Sequence, residues 1–489
     1  MKPASIFKSG LTLGFNQGFS QACAFLRNVI IARLLSPSDF GIASTFAITF
    51  FLIEMVSSLA ADKLLIQAKD GDDPQFQNTV QLVLAWRGLM NAVLLFLLAG
   101  PISYLFGVPG ARWAFRCLAI VPLIKGFTHL DPNRLQREMK FRPAVAVDVT
   151  SNILVTLAAL PLGLWLRSYE LMLWVLVAQA ACSVILSHFV AERRYGWAWD
   201  ARYLKQIFTF GWPLLINGLL MYVIFQGDRF VIGAAPRLFG KSPYTLADLG
   251  VYSVAFSLAM GPAMLVSNVS VSLFLPLLSR VQERRDQFER RYCVCAEVGS
   301  LVAALISIPL IVAGGWLVIL IYGAKYAAAA DFIGWVAAMW ALRVLRAAPS
   351  VAAMARGDTR NAMVSNLVRS LALVGVLSVA AAGLPLSWIA ACGFFGELLA
   401  LAVNVGRLQR RHLVPAVLCL KPSLVCASGM ALAALAVFSG VPARGWVATL
   451  LVSSGIMMTV FLGMVYAFPR LRQDIRTIVS GPESSSIAP

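Results

Sequence analysis

Fourteen predominantly apolar runs follow one another along this 489-residue chain. About 20 such residues in helical conformation cross the roughly 30 Å hydrocarbon core of a bilayer. The runs cover approximately residues 11–35, 40–66, 80–106, 111–130, 144–166, 171–190, 207–232, 249–275, 292–319, 327–345, 361–382, 386–403, 422–438 and 447–467, with Pro, Gly and charged residues between them. In lipid every backbone N–H and C=O must be satisfied inside the segment, so a chain built this way reads as helices. Composition agrees: 59% of residues are hydrophobic and only 13% are charged, against about a quarter charged in soluble domains. The sequence therefore predicts an all-α integral membrane protein of about fourteen transmembrane helices and excludes an ordinary cytosolic enzyme.

The net charge of +18 would suggest nucleic acid as a partner for a soluble chain, but here its distribution decides. With the run-end residues Arg33, Lys63, Arg112 and Arg343 counted in the adjoining connections, the N-tail, the even-numbered connections and the C-tail hold 28 of the 41 basic residues, the odd-numbered connections hold 7, and 6 lie inside runs. Lys and Arg collect on the cytoplasmic side, which predicts both termini in the cytoplasm, short outer loops and no nucleic-acid role. The start of the chain reads as a retained first span, because no small-residue cleavage site follows the lysines of the N-tail. The eight cysteines form no Cys-x-x-Cys pair, and no His stands at metal-ligand spacing, so they read as small core residues with neither metal nor cofactor expected. The Ser-rich stretch Ser484–Ser486 reads as a disordered end.

The chain also repeats itself. Arg27-Asn28-Val29-Ile30-Ile31-Ala32 leading to Asp39-Phe40-Gly41-Ile42 is matched by Arg229-Phe230-Val231-Ile232-Gly233 leading to Asp248-Leu249-Gly250-Val251; the arginines are 202 apart and the glycines 209 apart. Six spans separate the copies, an even number, so both halves share one orientation and relate by an axis along the membrane normal. The expected organisation is a six-helix N-lobe (1–195), a polar link (191–205), a six-helix C-lobe (206–411) facing it across a central cleft, two additional helices (412–468) and a cytoplasmic tail (469–489).

Ionisable groups inside a span are costly and mark function or pairing. The cations are Arg27, Arg87, Arg116, Lys125, Arg229 and Arg369, and the clearest anions are Glu54, Asp228, Glu297 and Glu397. Asn16, Gln17, Ser20, Gln21, Arg27 and Asn28 form a polar stripe on the first helix, and Tyr222, Gln226 and Arg229 repeat it on the seventh. Arg27 and Arg229, with Gln21 and Gln226 beside them, then offer two guanidinium forks suited to a diphosphate; the competing reading is that they reach the outer headgroups or pair internally. Arg87, Arg116, Lys125 and Arg369 either make a basic inner wall or pair with Glu54, Glu297 or Asp148. Glu297, Glu397 and Asp228 are candidate coupling-ion carboxylates, and His129 and His188 are either proton relays or packing residues.

At these residues the sequence resembles a family. Leu34-Leu35-Ser36-Pro37-Ser38-Asp39-Phe40-Gly41 after an arginine-bearing first helix, Gln136-Arg137-Glu138-Met139-Lys140-Phe141-Arg142 between the fourth and fifth runs, and Ile321-Tyr322-Gly323 with Tyr326 are similar to the polysaccharide transport branch. That branch comprises the Wzx-type flippases of the multidrug/oligosaccharidyl-lipid/polysaccharide exporter superfamily. Gly211-Trp212-Pro213, Asp228-Arg229, Leu249-Gly250-Val251-Tyr252, Phe274-Leu275-Pro276 and Ser279-Arg280 follow in the same order, and the likeness covers about residues 5–411. It implies transfer of undecaprenyl-diphosphate-linked oligosaccharide repeat units across the bacterial inner membrane, for exopolysaccharide, capsule or O-antigen. Membrane lipid is then a partner, and a polysaccharide polymerase and a chain-length regulator are candidate partners, the chain working either alone or with them. Arg27 and Arg229 are the positions to which the resemblance assigns the diphosphate, and the last two helices exceed the family's twelve-helix core.

Three other readings compete. A drug or cation antiporter of the same superfamily wants carboxylates in its cleft, and the first run has none. A polymerase or ligase wants a large outer loop, and the longest outer connection runs only from Gly233 to Asp248. A non-transporting scaffold of polysaccharide assembly is compatible with the same residues.

Overall fold

A computed structural model of the chain describes residues 3–240 and 242–468, with side chains from residue 18 onward. The side chains of Asn16 and Gln17, and the tail 469–489 with its serine stretch, lie outside the described residues. All regular structure among the described residues is helical. The α-helices are α1 (Pro3–Leu34), α2 (Pro37–Ser57), α3 (Ala61–Gln67), α4 (Pro74–Leu105), α5 (Arg112–Leu118), α6 (Ile120–Gly126), α7 (Asp131–Arg137), α8 (Arg142–Leu166), α9 (Glu170–Phe189) and α10 (Ala201–Phe239). They continue with α11 (Leu246–Ser279), α12 (Arg285–Tyr322), α13 (Ile333–Leu345), α14 (Ala347–Ala355), α15 (Thr359–Ser370), α16 (Ala372–Ala381), α17 (Leu386–His412), α18 (Val417–Phe438) and α19 (Trp446–Ala467).

Twelve helical stretches among the described residues are long and apolar enough to cross a membrane, counting α13 with α14 and α15 with α16 as single spans. The other two runs expected from sequence correspond to α1 and to the short pair α5 and α6, which breaks at Ala119. Outward faces carry large apolar groups such as Leu97, Leu157, Trp165, Phe189, Leu424 and Tyr466 in the open, as lipid contact requires and a soluble surface avoids. Several helices run past the hydrocarbon: the 38 residues of α12 rise about 57 Å.

Helix starts are set by local chemistry. The Ser36 hydroxyl accepts from the Asp39 N–H at 3.0 Å and donates to the Asp39 carboxylate at 2.6 Å, with Pro37 in the first turn; this capping starts α2 with only Leu35 and Ser36 between it and the end of α1. Asp73 accepts from the Gln75 N–H at 2.8 Å ahead of Pro74, and Asp200 accepts from the Arg202 N–H at 2.8 Å at the head of α10.

The chain divides into two compact units, one holding the chain through Val254 together with Leu373–Ile389, the other Ala255–Ala372 and the chain from Ala390 on. Within the first, Leu64, Leu65, Phe76, Val80, Leu130, Tyr203 and Ile207 tie α3, α4 and α10 into one apolar cluster. The internal repeat has a physical counterpart there. A Cβ on Gly41 would stand 1.8 Å from the Leu246 carbonyl oxygen, and one on Gly250 would stand 2.1 Å from the Pro37 carbonyl oxygen. The two glycines are 209 apart and each meets the residue four positions before the other, Leu246 and Pro37, so the starts of α2 and α11 touch reciprocally, each glycine accepting the other copy's backbone.

Candidate functional site

The first unit contains a cavity of about 290 Å³ lined by Glu54 and Ser58 at the end of α2, Asp62 of α3, Arg87 of α4, Lys125 of α6, and Thr128 and Asn133. Four helices deliver its charges. Glu54 Oε1 accepts from Arg87 Nη2 at 3.1 Å and Glu54 Oε2 accepts from Lys125 Nζ at 3.3 Å, so one carboxylate bridges two cations. Lys125 also lies over the Phe50 ring, 5.0 Å from its centroid, and Asn91 donates to Ser57 one turn away at 2.8 Å. Arg87 Nε is buried and has no hydrogen-bond partner among the described residues.

Arg27 is half-buried and sits with neutral partners: its Nη1 donates to Gln179 Oε1 of α9 at 3.0 Å and to Asn152 Oδ1 of α8 at 3.4 Å. Gln179 is itself oriented, donating to Ser151 at 3.2 Å. Gln21 of the same helix is exposed. On α10, Arg229 Nη2 donates to the Phe225 carbonyl at 2.8 Å. Asp228 accepts from the Tyr252 hydroxyl at 2.7 Å and from the Arg229 backbone N–H at 2.8 Å. The Tyr222 hydroxyl and the Gln226 side-chain oxygen are buried without hydrogen-bond partners among the described residues, so the α10 stripe read from sequence carries polar capacity that water or a ligand can use. Arg116 is exposed and stacks over Phe96, 5.4 Å from its centroid, as a cation reaching outward along an apolar face does.

The second unit holds a different cluster. Glu397 of α17 is fully buried and meets three guanidinium groups: Arg343 Nη1 at 3.3 Å, Arg346 Nε at 3.2 Å, and Arg369 Nε in a very short contact. Arg346 Nη1 also donates to Ser365 at 3.1 Å and to Asn366 at 2.9 Å. Sequence placed Arg369 inside a span but left Arg343 and Arg346 at a span end; the apolar run through Ala347–Ala355 was the signal that both lie within one. Glu297 is buried and accepts from the Cys293 thiol at 3.1 Å.

A polar junction joins the connections that follow α3, α6 and α9. Buried Asp131 accepts from Arg134 Nε at 2.6 Å and from the backbone N–H of Glu192 at 2.7 Å and of Arg193 at 3.2 Å. Burial pushes the Asp131 carboxyl up, but Arg134 and the two backbone donors outweigh it and hold it below the ordinary aspartate range. Arg137 donates to the Asp72 carboxylate and to the carbonyls that end α3, and Arg193 to the Asp72 carbonyl at 2.9 Å. Within the basic motif read after the fourth run, Arg137 is thus a backbone clamp, while Lys140 pairs with the Glu138 carboxylate at 2.8 Å. His129 and His188 are neighbours, with ring centroids 5.1 Å apart. The ring of His129 pairs with the Arg193 carbonyl at 3.0 Å and accepts from the Asp131 N–H at 3.1 Å, while that of His188 pairs with the Phe127 carbonyl at 3.0 Å. Among the described residues no group of His, Cys, Asp and Glu is arranged to hold a metal ion.

Comparison with known proteins gives a consistent result. Residues 30–331 match the polysaccharide biosynthesis protein family. The succinoglycan biosynthesis transport protein ExoT of Rhizobium meliloti is 25% identical over 323 residues, covering 63% of this chain and 61% of that protein. The teichuronic acid biosynthesis protein TuaB of Bacillus subtilis is 23% identical over 305 residues, covering 60% and 59%. The chain therefore spans about three fifths of the length of these curated relatives. Among solved structures, the lipid II flippase MurJ in an inward closed conformation superposes with a TM-score of 0.65 at 13% identity, over 93% of this chain and 98% of that one. An inward-facing multidrug resistance transporter of the MOP superfamily gives 0.62 at 13% identity, over 80% and 95%. These two likenesses establish the fold.

Proposed function

Because the chain belongs to the polysaccharide biosynthesis protein family, we propose that it is a flippase carrying undecaprenyl-diphosphate-linked oligosaccharide repeat units across the bacterial inner membrane, for exopolysaccharide, capsule or O-antigen synthesis. The observation that carries the reading is the pocket of the first unit, where Arg87 and Lys125 from two helices converge on one anionic position. A diphosphate-sugar headgroup cannot cross hydrocarbon without such a polar site. The pocket supplies what its phosphates need, two cations held at fixed spacing, one of them a fork. Arg27 and Arg229, with Gln21 and Gln226, are further candidates for headgroup contacts, Arg27 because its partners leave its charge unneutralised among the described residues.

Transport of this kind exposes the site to each side in turn and makes no covalent bond, so its direction comes from a gradient or from consumption of the product outside. The last of these would fall to a polymerase and a chain-length regulator. The relative named for succinoglycan transport and the structural neighbour named as a lipid II flippase support this class of cargo. A cation antiporter is the weaker alternative, because Glu54 is committed to two basic side chains and the two acids of the pocket, Glu54 and Asp62, are matched by two cations, which leaves no net negative charge for such a cargo. The test is a deletion strain: loss of the extracellular polymer, with lipid-linked repeat units accumulating in the cytoplasmic leaflet and recovery on expression of the intact chain, is expected. Normal polymer in that strain would overturn the proposal.

A further inference from the structure

The pocket around Glu54 holds a mismatch that points to how its ligand enters. Arg87 presents Nε and Nη2 along one edge, the pair of donors a bidentate oxyanion takes side-on. Glu54 meets only Nη2, because its second oxygen is drawn to Lys125 Nζ at 3.3 Å, and Arg87 Nε stays buried without an acceptor among the described residues. A carboxylate has two oxygens for three converging donors. A phosphoryl group has three outer oxygens in a tetrahedral array, one for each of Nε, Nη2 and Nζ.

We propose that Glu54 is an internal counter-anion that closes the empty pocket and is exchanged for a phosphoryl group of the cargo when the cargo binds, an assignment that rests on the transport reading above. The surroundings favour exchange over simple addition. Asp62 also lines the cavity, so two acids and two cations already balance, and a phosphate entering beside Glu54 would meet an uncompensated like charge. Glu54 is three residues from the end of α2 at Ser57, next to the cavity's open polar lining of Ser58, Thr128 and Asn133, which receives the carboxylate once it is released. The exchange also favours release of cargo, since Glu54 returns to the same two cations as the phosphate leaves.

The experiment uses the full chain in lipid nanodiscs, titrated calorimetrically with inorganic pyrophosphate and, separately, with undecaprenyl diphosphate. Removing the competing charge in Glu54→Gln raises the affinity for both probes by about tenfold or more, and Arg87→Ala lowers it by a similar factor. In the same preparations Glu54→Gln melts at a lower temperature than wild type without pyrophosphate and recovers when it is added, whereas Glu54→Asp, which keeps the charge, binds no more tightly than wild type. Glu54→Gln binding as wild type or more weakly overturns the exchange. If that happens while polymer export in the deletion strain still depends on this chain, only the exchange fails and the transport reading stands; if export does not depend on the chain, both fail.

Discussion

Replacing Glu397 by Gln tests the charge organisation of the second unit. The side chain keeps its shape and loses one negative charge at a fully buried position faced by Arg343, Arg346 and Arg369. Removing one partner of a buried pair typically costs about 3–5 kcal/mol, because the other charge is left desolvated and uncompensated. Here three guanidinium groups lose their shared carboxylate, which places the cost at the upper end of that range, against a total stability on the order of 5–15 kcal/mol for a domain. The melting temperature of the purified protein should fall on the order of 10 °C or more, and the yield of monodisperse protein should drop with it. Adding Arg343→Gln should recover part of the loss, because it removes one of the stranded charges, so the two changes should couple by about 1–3 kcal/mol in a double-mutant cycle. A Glu397→Gln protein that melts within a degree or two of wild type would refute the reasoning. The same geometry bears on energy coupling: a carboxylate that couples to protons must lose its charge once per cycle, and at position 397 that would leave three arginines facing one another.

Three further outcomes follow from the structure. Gly41→Ala or Gly250→Ala drives a Cβ into a backbone carbonyl at 1.8 or 2.1 Å, so each should destabilise by about 1–3 kcal/mol; the double variant should cost less than the sum, and strict additivity in melting experiments would dissolve the reciprocal contact. The Asp131 carboxyl titrates below its unfolded value, so its stabilisation is complete above about pH 4 and is lost as pH falls through the depressed folded value; Asp131→Asn should flatten that acid limb of the stability profile, and an unchanged limb would show that Asp131 does not contribute. Reporter fusions after Phe106 and Arg167 should read periplasmic, and those after Lys140, Arg194, Arg285 and Arg411 cytoplasmic, as the distribution of 28 against 7 basic residues requires; a reversed neighbouring pair would break the assigned order of spans.

Much of the architecture was legible because a span leaves a length and composition signal that local context cannot hide. The Ser-Pro-x-Asp start of α2 and the glycines 209 apart could be read as helix punctuation and as a repeat, although only coordinates reveal that the glycines touch. The run 111–130 was read as one helix. It is the pair α5 and α6, broken at Ala119, and hydropathy is blind to a break that removes no apolar residue. The 207–232 run begins earlier and ends later, as α10, because Asp200 caps a polar first turn that hydropathy discards. For the charges, sequence identified Glu54, Arg87 and Lys125 as buried ionisable groups and offered Glu54 as one of three acids for the two cations, but could not choose among them, since the partners lie 33 and 71 residues apart. Arg343 and Arg346 were missed for the opposite reason: two arginines beside an apolar run look like its boundary until an acid on another helix is seen to hold them.

Reconstitution tests the central claim most directly. Vesicles containing the purified chain and a fluorescent undecaprenyl-diphosphate-linked oligosaccharide in one leaflet should transfer it to the other, measured by quencher accessibility. Arg87→Ala with Lys125→Ala should slow that transfer by at least about tenfold while the protein remains inserted and monodisperse. Transfer no faster than in protein-free vesicles, or a double variant as fast as wild type, would contradict the account.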